Sequence, residues 1–294
     1  MALNRTLALA GALLALGSFS GASRADAVIP DEYKSGGFFI GCQAWSWNHF
    51  TVMEGIERTA AAGGKVIEFF PGQTLSKEDP GVKFDHNCSA DVIARVKAQL
   101  EKYHIKAVNY GVVGIPNDAA GARKIFEFAK AFGLRAVTTE SVDAIDTFEP
   151  LVKEFDVMVA FHDHPKQANN PNYKMWDPTY ILSVVKGRDR RIGSCADVGH
   201  WVRSGIKPVD ALRILKGHII SSHLKDLNEF TPNGHDVPSG TGVSDIAAVL
   251  DELHAQGFAG NISIEYEYHM EDSLAEVAQC IGFVRGYGMA KHYK

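Results

Sequence analysis

Ile192-Gly193-Ser194-Cys195-Ala196-Asp197-Val198-Gly199-His200-Trp201 opens as a short run of small and apolar residues and ends in an acid, with a histidine one tight turn later. A run of that length and composition reads as a fully buried strand. A carboxylate at the end of such a strand needs a partner, because an isolated buried charge is very costly. A metal ion or a substrate hydroxyl would supply one.

The same arrangement recurs outward from this stretch in both directions. Strands are predicted at 38–45, 65–70, 105–110 and 134–139, then at 156–161, 192–196, 219–222 and 261–264. Helical spacing falls between them. Ser89 caps a predicted helix over 89–103 that sets Val92, Ile93, Val96 and Leu100 on one face, Gly133 stops another over 117–132, and Pro208 opens a third over 207–215. Further helices are expected at 51–62, 145–154, 178–185, 243–256 and 271–287. Eight alternations of apolar strand and helix argue an α/β fold, a closed (β/α)8 barrel in one domain. A doubly wound open sheet would carry a glycine-rich phosphate turn after its first strand. Trp45-Ser46-Trp47-Asn48 stands there instead.

In such barrels the reactive groups sit at the C-terminal strand ends. Those ends carry Glu140, His162, Asp197, His223 and Glu265. A single strand-end histidine is more often a hydrogen-bonded structural residue, but five such groups on successive strands suggest a ligand set. Imidazoles and carboxylates together suit one divalent ion: manganese first, with cobalt, zinc, iron or magnesium as alternatives.

Arg5, an uninterrupted Leu/Ala/Gly run at 7–16 and Ala25-Asp26-Ala27 have the pattern of a secretory signal peptide over 1–27, leaving a mature domain of 28–294. The apolar run is short for a membrane span. An exported or periplasmic protein is expected, with no membrane attachment after cleavage. Cys42, Cys88, Cys195 and Cys280 show no disulfide framework. The net charge of -5 and the lack of a basic cluster argue against nucleic acid as a partner. Composition leaves the oligomeric state open, and a homo-oligomer is possible.

Trp45, Trp47, Phe70, Tyr110, Tyr173 and Trp176 fall near the loops of the active face. Aromatic faces suit the apolar side of a sugar ring, although two or three of these are expected in the core. The stretch 169–176 is long for a strand-to-helix connection, which usually takes about 2 to 6 residues. It reads as a cover for the substrate.

Four motifs carry a family resemblance: Asp197-x-x-His200, Ser222-His223-Leu224-Lys225-Asp226, Gly240-Thr241-Gly242 with Asp245, and Ile264-Glu265. Over roughly 38–287 the chain resembles the xylose isomerase-like barrel superfamily, which includes sugar isomerases, ketose 3-epimerases, inosose dehydratases and apurinic endonucleases. The resemblance implies a divalent metal and a small carbohydrate substrate. The epimerases of this group hold their metal with Glu, Asp, His and Glu from strands five to eight. Asp197, His223 and Glu265 match three of them. The fifth-strand position departs, because Phe161-His162 stands where Leu-Glu would be, so Glu140 and His162 compete as fourth ligand.

The implied chemistry is removal of a proton next to a carbonyl, with the metal stabilising the enediolate. His162, His164 or Glu265 would be the base, and His200 would bind substrate. Lys225 either steadies oxyanion charge or pairs with Asp226. Export and the missing phosphate cradle point to secreted relatives that resemble lyases of 3-keto-glycosides, acting by β-elimination. The alternatives are an isomerase or epimerase of a free sugar or polyol, and a non-catalytic exported sugar-binding barrel. A phosphodiesterase of the apurinic-endonuclease type is opposed by the negative charge.

Overall fold

The computed structural model describes residues 28–293. The expected signal peptide lies outside the described residues. Eight parallel strands form the barrel: β1 Phe38–Gln43, β2 Val66–Phe69, β3 Lys106–Tyr110, β4 Ala136–Thr139, β5 Met158–His162, β6 Ile192–Asp197, β7 Ile219–Leu224 and β8 Asn261–Ile264. Each pairs with its neighbours in chain order, and β1 pairs with both β2 and β8, which closes the sheet. Closure leaves no open edge in the barrel.

The helices are α1 Val52–Ala61, α2 Ala90–Tyr103, α3 Ala119–Phe132, α4 Ile145–Phe155, α5 Pro178–Val185, α6 Val198–Arg203, α7 Pro208–Ile214, α8 Ile246–Ala255 and α9 Leu274–Ala290. Their ends have local causes. Thr51 and Glu54 form a reciprocal capping box on α1. Asp118 caps α3, and Gly133 ends it in the left-handed conformation. The large apolar core draws on both the strands and the surrounding helices. A smaller cluster, Ala136, Met158, Ala160, Cys195 and Ile220, comes from β4 to β7. Met158 and Ala160 alternate with outward residues in step with His162, as Cys195 does with Asp197, so they fill the barrel beneath those two side chains.

Two boundaries matter for the site. β5 and β7 run on through His162 and Leu224, so His162 and His223 are held by strand pairing rather than by loops. β1 stops at Gln43, earlier than the reading over 38–45. The Gln43 side chain accepts a hydrogen bond from the Trp45 backbone at 3.0 Å and starts a 3-10 turn, Ala44–Trp47. That turn sends the two tryptophans opposite ways: Trp45 is exposed, while Trp47 is fully buried.

The Gly240-Thr241-Gly242 loop is organised by Asp226. Its carboxylate accepts from the backbone N–H groups of Gly240, Gly242 and Ser244 at 2.8, 2.9 and 3.0 Å. A Cβ on Gly242 would lie 2.4 Å from Asp226 Oδ1 and 2.3 Å from the Leu227 carbonyl oxygen, so only glycine fits. The four cysteines are unpaired. No helix among the described residues is long and apolar enough to cross a membrane.

Candidate active site

The strand ends converge on a buried cluster of ligand-type atoms. His162 Nε2 lies 3.1 Å from His223 Nδ1 and 3.5 Å from Asp197 Oδ2. His223 Nδ1 lies 3.3 Å from Glu265 Oε2 and 3.8 Å from Asp197 Oδ2. Two atoms bound to one ion at roughly 2.0–2.2 Å stand about 3.0–3.5 Å apart at right to tetrahedral angles, which is close to most of these spacings. His162, Asp197, His200 and Glu265 also offer one ligand atom each within 4.8 Å of one another.

The second contacts of these groups are equally specific. His223 Nε2 is 3.0 Å from Glu68 Oε2, and Glu68 also accepts from Thr138 Oγ1 at 2.7 Å and Ser263 Oγ at 3.1 Å. An ionised carboxylate only accepts, so it draws the ring proton to Nε2 and turns the Nδ1 lone pair toward the cluster. Glu140 stands behind His162, 3.7 Å from its Nδ1. It also makes a close hydrogen bond with His164 Nδ1 and accepts from the Tyr173 hydroxyl at 3.1 Å. Glu140, His162 and His164 thus form a second group of ligand-type atoms within 4.8 Å.

Lys225 is fully buried among carboxylates, with Nζ 2.7 Å from Glu265, 2.7 Å from Glu267 and 3.1 Å from Asp197. Its partners are therefore these site carboxylates rather than Asp226, which is engaged by the glycine loop. Asp197 caps α6 by accepting from the His200 backbone at 2.9 Å, and its own backbone N–H donates to Asp163 at 2.8 Å.

Electrostatics follow from this packing. Burial opposes charge on His162, yet Asp197 and Glu140 outweigh it and push the imidazole up to about 10. Burial likewise opposes charge on His223, but Glu68 and Glu265 are among the neighbours that raise it well above the usual range. Burial would protonate Asp197 and Glu265, but His200, Lys225 and His162 hold the Asp197 carboxyl down, and Lys225 and His223 hold that of Glu265 down. Against its own burial, Glu140 is lowered to about 2 by His162 and His164. His200 goes the other way: burial, helped by Lys225 and His162, holds it well below the usual imidazole range.

A cavity of about 280 Å³ opens over the cluster, lined by Trp45, Phe70 and Pro71 on an apolar side and by His162, His164, His200, Glu265 and Glu267 on a polar one. That is near the small end of ligand pockets, which run about 300–1,000 Å³. No lysine or arginine is among the lining residues. Trp45 meets Phe70 edge to face, with centroids 5.0 Å apart.

Trp47 does not reach this cavity. Its indole N–H donates to Thr59 in the core at 3.1 Å, because the 3-10 turn points it inward. Tyr173 and Trp176 belong to the loop between β5 and α5, where Tyr173 reaches Glu140 and Trp176 donates to the Tyr173 carbonyl at 3.0 Å. The stretch 169–176 therefore touches the site through Glu140. Glu68, Glu267 and Arg203 were not singled out by the sequence. Glu68 did carry a signal, as a charged residue inside an otherwise apolar strand.

Residues 56–285 match the family described as the xylose isomerase-like TIM barrel, and the chain belongs to that family. Among solved structures, an uncharacterised protein from Parabacteroides distasonis ATCC 8503 is 31% identical, covering 84% of this chain and 98% of that one with a TM-score of 0.68. A xylose isomerase-like TIM barrel protein from Mycobacterium smegmatis in complex with magnesium is 12% identical, covering 85% and 96% with a TM-score of 0.66. D-allulose 3-epimerase from Methylomonas sp. in complex with D-allulose is 14% identical, covering 84% and 96% with a TM-score of 0.63. The last two likenesses show the fold alone. No curated protein matches the sequence significantly.

Proposed function

We propose that the protein is a carbohydrate enzyme that uses one divalent metal ion to remove the proton next to a sugar ketone. The observation that carries this reading is the convergence of His162 Nε2, His223 Nδ1, Asp197 Oδ2 and Glu265 Oε2 beneath a sugar-sized cavity. The donor set fits an ion. Asp197 Oδ2 is buried with no aligned hydrogen bond, although Lys225 is near. His162 Nε2 and His223 Nδ1 face each other at 3.1 Å, so one ion could take a lone pair from each. A bound ion would polarise the ketone and stabilise the enediolate. Manganese is the expected ion, and the magnesium complex of the mycobacterial neighbour keeps magnesium in view.

His164 is the base that the arrangement favours. Its Nδ1 is engaged by Glu140, and the ring lines the cavity, leaving Nε2 for the substrate. Glu140 then orients His162 and His164 rather than binding metal. Trp45 and Phe70 offer an apolar wall for a ring face, and the absence of lysine and arginine from the lining favours an unphosphorylated sugar.

The reaction we propose is β-elimination of a 3-keto-glycoside. The ketone acidifies the C2 proton, His164 takes it, and the electron pair forms the C1–C2 double bond as the C1–O bond breaks. The departing oxygen takes up the proton that His164 removed, so the products are an unsaturated keto sugar and the free aglycone. A histidine in place of the fifth-strand glutamate supports elimination, which needs one base. Glu265, also on the cavity, supports a second reading, epimerisation or isomerisation of a free sugar, which needs a second proton-handling group. Metal-loaded enzyme incubated with a 3-keto-glucoside should release aglycone with a rise in enone absorbance, and His164→Ala should slow this by about 10²- to 10⁴-fold. Clean C3 inversion or aldose–ketose exchange without aglycone release would assign the second reading.

A further inference from the structure

Two histidines of the site are backed by groups of opposite character. Behind His223 stands a carboxylate, Glu68. Behind His200 stands a guanidinium: Arg203 Nη1 lies 3.1 Å from His200 Nδ1. A guanidinium has five N–H donors and no acceptor. The bond therefore exists only if Nδ1 carries a lone pair, and the ring proton must then sit on Nε2. We infer that Arg203 fixes His200 as its Nε2–H tautomer, which takes His200 out of the metal's ligand set and leaves its Nε2 a hydrogen-bond donor.

Arg203 is well placed to impose this. Its Nε donates to the Gly234 carbonyl at 3.0 Å, Nη2 to Asp236 at 3.3 Å and Nη1 also to Glu267 at 3.2 Å. Asp197, the N-cap of α6, and His200 and Arg203 on it are spaced by three, so they lie along one side of the helix. The His200 backbone is fixed by Asp197 and its ring by Arg203. Lys225 Nζ, 3.4 Å from His200 Nε2, does not reverse the assignment. Lys225 has no acceptor either, and its charge is already met by carboxylate oxygens at 2.7, 2.7 and 3.1 Å. His200 is among the residues that line the cavity.

Spacing alone would count His200 with the ligands, since its Nε2 lies 3.6 Å from Asp197 Oδ2. Chemistry separates them: a metal needs the lone pair of a ring nitrogen, and that lone pair is presented by His223 and withheld by His200. Arg203 is thus a positioning residue. This inference rests on the metal site proposed above, but the tautomer is read without metal, so the two can fail separately.

The test uses the full chain with ¹⁵N-labelled histidine and two-bond ¹H–¹⁵N spectra, metal-free and after Zn²⁺. His200 should carry its proton on Nε2 in both states, while the ring signals of His162 and His223 shift on Zn²⁺ addition. A proton on Nδ1 of His200, or loss of the Nε2 proton on Zn²⁺ addition, would overturn the inference. Arg203→Met should let the Nδ1–H form of His200 appear. If that variant does not fold, Arg203→Lys, whose amine falls short of the ring, takes its place. An unchanged tautomer in a folded variant would remove Arg203 from the role. His200→Gln should keep one Zn²⁺ per chain, and loss of stoichiometric binding would return His200 to the ligand set. If wild-type protein binds no Zn²⁺, the metal reading fails while the tautomer result stands.

Discussion

At the scale of single residues, the site is a contest for protons that a metal would settle. In the metal-free protein His162 is raised to about 10 from 6.5, and His223 is raised as well. His162 therefore holds its second proton at pH 7, and a metal taking Nε2 must expel it. Binding should release at least one proton at pH 7, and Kd should tighten about tenfold per pH unit for each proton released. Calorimetry in two buffers of different ionisation enthalpy measures this, and buffer-independent heats would speak against His162 as a ligand. The stability of metal-free protein runs the opposite way with pH. The contribution of His162 is fully present below about pH 6.5 and is lost as pH rises through about 10. His162→Gln should abolish that part of the loss. Asp197, His223 and Glu265 were legible because an acid or imidazole closing an apolar strand is conspicuous. The choice between Glu140 and His162 was not, because it depends on which nitrogen faces which neighbour.

At the scale of elements, the strand ends were legible within a residue or two, but the turns beyond them were not. The turn after β1 separates Trp45 from Trp47, and it is set by the Gln43 side chain, a local hydrogen bond that hydrophobic periodicity does not register. Lys225-Asp226 left two readings in sequence, an oxyanion-steadying lysine or a neighbouring ion pair. In the fold the two side chains part: Lys225 goes to the site and Asp226 to the glycine loop. That division gives a clean prediction. Gly242→Ala must displace Asp226 or the Leu227 backbone, and should cost about 1–3 kcal/mol in denaturant unfolding. It should leave metal stoichiometry unchanged, since no ligand lies in that loop. Loss of metal at full stability would mean that the Asp226 loop acts on the ion site. The loop between β5 and α5 carries a further expectation. Tyr173→Phe removes one hydrogen bond from Glu140, so it should lower kcat with little change in Tm.

At the scale of the whole molecule, the barrel was legible because eight buried strands leave eight apolar runs, and family membership agrees with it. Export stands as a proposal on Arg5, the apolar run at 7–16 and Ala25-x-Ala27. N-terminal sequencing of cell-derived protein should find a start near Val28, and an intact Met1 would contradict it. The central claim is that the barrel mouth removes a proton next to a sugar ketone with the help of a metal ion. Its most direct test is solvent exchange: metal-loaded enzyme in deuterium oxide with a 3-keto-glucoside and with free ketoses, followed by NMR and mass spectrometry. The account predicts deuterium uptake at the carbon next to the carbonyl, or loss of that proton with aglycone release, dependent on the metal and abolished in Asp197→Ala. Stoichiometric metal with no exchange, elimination or isomerisation of any of these substrates would contradict it.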